Sequence, residues 1–219
     1  MDELPEIIPL FPLPNVVLFP DVELPLHVFE ARYREMVDAA LASDRVIGMT
    51  LLRGDWRRHY LGSPEIFPLG CAGRIERFEM LPDGRSNLVL QGLAAFDVRE
   101  EIPGRSFRQA RVGWRPNVPV KDACELEEAS ARLRAGVTRL LQRGDRAFGE
   151  DLWTRLPRES DKLVHALAFG LDLAAIEKLS VLDCPDALSR TERLVEILEF
   201  RLAEQGIRGS GEREEEPWH

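Results

Sequence analysis

Glu30, Arg32 and Tyr33 stand together in the stretch HVFEARYREM, and Trp56 and Tyr60 stand among charges in RGDWRRHYLGSPE. These five residues are the ones best suited to binding a partner. A carboxylate, a guanidinium and a phenol side by side could act as a functional trio. They fit better as the charged start of a helix followed by a core tyrosine. Aromatic rings in a charged loop can anchor an apolar stretch of another chain, or fold back as a lid over their own domain.

Reaction chemistry is not legible. A phosphate-binding loop needs G-x-x-x-x-G-K-[ST], yet Lys121, Lys162 and Lys178 follow Val120, Asp161 and Glu177. His27 alternates within a strand-like run, His59 sits in the charged loop, His165 has no second histidine at helical spacing, and His219 is the last residue. No H-E-x-x-H occurs. Ser210 lies between Gly209 and Gly211, which is not G-x-S-x-G. No catalytic, cofactor-binding or metal-binding residue is assigned, no cofactor is expected, and the chain is expected not to be an enzyme. Acid–base pairs assembled from distant positions are not visible in a sequence.

The elements that must position these residues follow from apolar spacing. Ile7, Ile8, Leu10 and Phe11 form one short run, Val16 to Phe19 a second, and Leu24, Leu26 and Val28 alternate in a third. Runs this short and rich in Val, Ile and Phe predict strands. Pro9, Pro12, Pro14, Pro20 and Pro25 interrupt them, so the strands are edges or bend, as in a small closed or half-closed barrel. The period then switches: Tyr33, Met36, Val37, Ala40 and Leu41 mark one face of a helix, with Glu30 in its first turn. Arg45 to Leu52 reads as a buried strand and Arg53 to Pro68 as a long polar loop. Leu69 to Met80 reads as a strand whose inward phase slips at a bulge near Arg77. Pro82-Asp83-Gly84 and Pro103-Gly104 predict turns, and Gly92 a bend.

Pro116 and Pro119 mark a boundary. Beyond it Asp122 and Glu125 are spaced as a capping box. Leu126, Ala129, Leu133, Val137, Leu140 and Leu141 form a helical stripe ended by Gly144, and shorter helices follow. The last helix is expected to run to about Glu204. The expected domains are 1–118 (β-rich), 119–205 (helical) and 206–219 (a disordered, charged, glycine-containing tail).

The net charge is -9, of which -3 falls before residue 119 and -6 after it. Neither part has the basic excess that phosphate neutralisation requires, which argues against nucleic acid as a partner. Arg53, Arg57, Arg58 and His59 form one short basic cluster. No apolar run approaches the roughly 20 residues of a membrane helix, and MDELPEIIP is acidic and proline-broken, unlike a signal peptide. Three dispersed cysteines, Cys71, Cys124 and Cys184, suggest a reduced, cytoplasmic setting.

LFPLPNVVLFP followed by LPLHVFEARYREMV resembles the opening of the Lon protease amino-terminal domain, the substrate-recognition part of that ATP-dependent protease. GCAGRIERFEMLPDGRSNLVLQGLAAFDV is similar to a later part of the same domain, and LDLAAIEKLSVLDCPDALSRTERLVEILEFRL to its helical half. The resemblance runs from about Leu4 to Leu202. It implies an α+β fold: a PUA-like β-barrel-type domain with one helix, then a C-terminal helical domain. It also implies a non-enzymatic protein- or peptide-binding module without ATPase or peptidase parts, an adaptor or regulator in protein turnover that takes unfolded or exposed apolar protein segments. A small-molecule sensor and an RNA-binding PUA-like module are the alternatives. The sequence leaves the oligomeric state open.

Overall fold

A computed structural model describes residues 4–59, 62–143 and 151–211. Gly144 and His219, singled out above, lie outside the described residues, as does the end of the expected tail, 212–219. The chain divides into two units. One comprises residues 1–117 and 165–183, the other 118–164 and 184–219.

Six strands form the first unit's sheet: β1 (Ile7–Leu13), β2 (Glu23–Val28), β3 (Val46–Leu52), β4 (Ile66–Met80), β5 (Ser86–Ile102) and β6 (Arg108–Trp114). Their order is β2-β5-β4-β3-β1-β6, and β5 also pairs with β6, so five strands close on themselves and β2 is added outside the ring. Only β1 and β3 run parallel. Each ring strand contributes to one buried cluster: Ile8 and Leu10, Val46, Ala72, Phe96, and Ala110 with Val112. The expected proline-kinked barrel is therefore the observed α+β architecture, followed by C-terminal helices.

The prolines sit where a ladder can do without a donor. In β1, Ile7 to Leu10 pair with β6, whereas Leu10 to Leu13 pair with β3. Pro9 belongs to the first stretch and Pro12 to the second, so each lies where the ladder runs on one side only. Pro25 is on β2, which pairs with β5 alone.

β5 serves two neighbours in turn. Residues 86–91 pair with β2 and residues 96–102 with β6. The change needs extra residues, and the β4–β5 register slips between Ala72 and Gly73 and again between Ile75 and Arg77. The second slip is the bulge that the phase of the sequence predicted. At the hinge, the Gly92 N–H donates to the Val22 carbonyl (2.9 Å) and the Asp21 N–H to the Gly92 carbonyl (3.0 Å). A Cβ on Gly92 would stand 1.9 Å from the Phe19 carbonyl oxygen. Gly92 is thus required for close backbone approach rather than for unusual φ.

Helix α1 (Ala31–Leu41) buries Tyr33, Met36, Val37 and Ala40, the face read from the sequence. β3 is buried at every position. Residues 165–183, expected in the helical domain, instead belong to the sheet unit. They comprise the end of α4 (Ser160–Gly170) and α5 (Ala175–Leu182). The cause is tertiary: the His165 ring, 3% exposed, lies 5.9 Å from that of Phe19, and Arg115 pairs with Asp183 at 2.7 Å. Lys178 donates to the Phe169 carbonyl at 2.6 Å, capping the last turn of α4. Burial lowers its pKa, and Asp172 opposes the shift.

In the second unit α2 (Ala123–Arg143) starts at Asp122, whose carboxylate accepts from the Cys124 and Glu125 N–H groups at 2.9 and 3.2 Å. Ala129, Leu133 and Val137 are buried, and Gly136 faces Leu198 on α6. α3 (Asp151–Arg155) is short. α6 (Ala187–Gly211) is longer than the apolar spacing indicates and takes in residues expected to begin the tail. Near its start Arg190, 7% exposed, donates to the Cys184 and Pro185 carbonyls and to Asp161.

Two glycine substitutions separate packing from propensity. Gly92→Ala is expected to destabilise by at least roughly 1–3 kcal/mol, because backbone must move. Gly136→Ala is expected to stabilise by about 0.5–1 kcal/mol, since its methyl would meet Leu198 at an ordinary 3.6 Å. Urea unfolding of the two variants reads both signs. Lys178 gives a pH signature. Its ammonium is disfavoured in the fold, so unfolding takes up a proton between the lowered pKa and the ordinary 10.5, and stability contributed by this group rises with pH across that window. Chemical denaturation from pH 8 upward should show a rise in wild type that Lys178→Met lacks.

Candidate functional site

Glu30 is the residue at which α1 begins. Its carbonyl accepts from the Tyr33 and Arg34 N–H groups at 3.0 and 2.9 Å. Glu30 stands at the N-cap rather than in the first turn, and its carboxylate makes no capping bond; it turns to the Arg32 guanidinium, 3.0 Å from Nε and 2.9 Å from a terminal nitrogen. Arg32 in turn lies over the Tyr33 ring at 4.5 Å. Tyr33 is 5% exposed, with its ring centre 4.3 Å from that of Phe11. The trio is therefore contiguous, but Tyr33 is largely a core side chain, and Glu30 and Arg32 present the polar edge.

That edge opens on a pocket of about 450 Å³. Arg32 and Tyr33 form one wall, the turn between β5 and β6 forms another, and Gly62 and Ser63 close a third side. Pro103 and Gly104 make the turn, and Gly104 has φ +108, where a side chain would be strained. Phe107 is buried beneath it, with the Arg105 guanidinium 5.9 Å from its ring. Arg108 ties the loop to the hairpin: it donates to Glu101 at 2.8 Å through Nε and to the Pro64 carbonyl at 2.6 Å. The Ser106 hydroxyl donates to Glu35.

Trp56 lies in a short 3₁₀ turn (Trp56–His59), half-buried, with Arg57 4.8 Å over its ring. It does not line the pocket, although the chain that follows it does. Tyr60 lies outside the described residues. Of the five residues picked out from the sequence, the pocket brings Arg32 and Tyr33 together, with Glu30 behind Arg32.

A second hollow, about 610 Å³, lies on the outer face of β2, β5 and β4, lined by Pro25, His27, Val89, Asn87, Arg77 and Glu79 among others. His27 Nδ1 is 2.8 Å from the Asn87 amide oxygen. Phe29, 61% exposed, stacks on His27. Among the described residues no group of three His, Cys, Asp or Glu could hold a metal ion, and no helix is long and apolar enough to cross a membrane.

The model of the ATP-dependent protease La (Lon) substrate-binding domain family matches residues 7–199. The chain belongs to the Lon substrate-binding domain family. The Lon protease of Cytophaga hutchinsonii is 25% identical over 201 residues, an alignment that covers 90% of this chain and 24% of that protease. The chain therefore spans about a quarter of the length of the curated relatives it matches. A crystal structure of a Lon N-terminal domain protein from Xanthomonas campestris superposes with TM-score 0.63 at 25% identity, covering 87% of this chain and 97% of that one. The N-terminal domain of the Mycobacterium avium complex Lon protease superposes with TM-score 0.68 at 17% identity, covering 88% and 98%, a likeness of fold.

In this Lon substrate-binding domain, sequence inspection missed Arg105, Phe107 and Arg108. Nothing in RSFRQA marks them, because they reach Arg32 and Tyr33 only through strand pairing. Arg108→Met should free residues 62–64 while leaving the ring intact. Hydrogen exchange in the 53–65 loop is expected to accelerate several-fold, with the exchange of β3 and β4 unchanged.

Proposed function

We propose that the chain recognises unfolded polypeptide through the sheet unit, with the Arg32–Tyr33 pocket as its principal contact and Trp56 and Tyr60 as further contacts. The supporting observation is the pocket itself: apolar walls of Tyr33 and Phe107 carry a polar rim of Arg32, Arg105 and Ser63. A concave surface of mixed polar and apolar lining suits an extended chain that exposes side chains and backbone together. Membership of the Lon substrate-binding domain family supports the same role. The part played is that of an adaptor or regulator in cytoplasmic protein turnover, binding without ATP hydrolysis or peptide cleavage of its own.

Calorimetric titration of the chain with a reduced, alkylated protein and with the same protein in its native disulfide-bonded form tests this. Binding to the unfolded form alone is expected, and Arg32→Ala and Trp56→Ala should each weaken it by about 1–2 kcal/mol. Equally negligible binding to both forms removes the proposal.

A further inference from the structure

We draw no further inference here: the strongest candidate, the hollow on the outer face of β2, β5 and β4 beside the exposed Phe29 ring, is an open strand face, and nothing in the structure shows what covers it.

Discussion

The sheet unit depends on the close approach of the Phe19 carbonyl to Gly92. One strand, β5, has to leave β2 and join β6 to close the ring, and it does so at this point. Any side chain at residue 92 would push the preceding segment away, and with it the two backbone bonds that connect Asp21 and Val22 to the hinge. Closure has a second benefit. It gives each of the five ring strands two neighbours, leaving β2, with Pro25, as an outer strand. The pocket inherits this rigidity, because its hairpin wall is the joined end of β5 and β6.

Arginine carries most of the polar organisation. Only three of the 29 basic residues are lysines. A guanidinium can satisfy several acceptors in fixed directions, as Arg108 does with Glu101 and Pro64 and as Arg190 does with three acceptors in the other unit. It can also sit over an aromatic ring, as at Tyr33 and Trp56. Most of the remaining ion pairs, such as Arg58 with Asp55, are exposed and contribute little to stability. Arginine here connects loops to strands more than it adds stability.

A recognition surface on such a scaffold needs no strained catalytic geometry. Tyr33 illustrates the economy: its ring packs on Phe11 in the core while its edge reaches the pocket. Core side chain and pocket wall are then one residue. The hollow beside His27 differs in kind, being a strand face with a hydrogen-bonded polar row and one exposed ring, Phe29.

Much of the architecture was legible locally. Two of the three short apolar runs are strands, β1 and β2, whereas Val16 to Phe19 joins them without strand pairing and buries Val17, Leu18 and Phe19 all the same. The switch to helical spacing at Tyr33, the slip near Arg77 and the turns at Gly84 and Gly104 are consequences of backbone chemistry within a few residues and appear in the structure. What the chain does over long separations was not legible. The grouping of residues 165–183 with the sheet arises from Phe19 meeting His165 and from Arg115 meeting Asp183. The union of Arg32 with Arg105 and Phe107 arises from β1 pairing with both β3 and β6. Periodicity tells a residue which face it occupies. Only the closed ring of strands decides what that face meets, because pairing partners are chosen by the packing of the whole unit and leave no mark at either end of the contact.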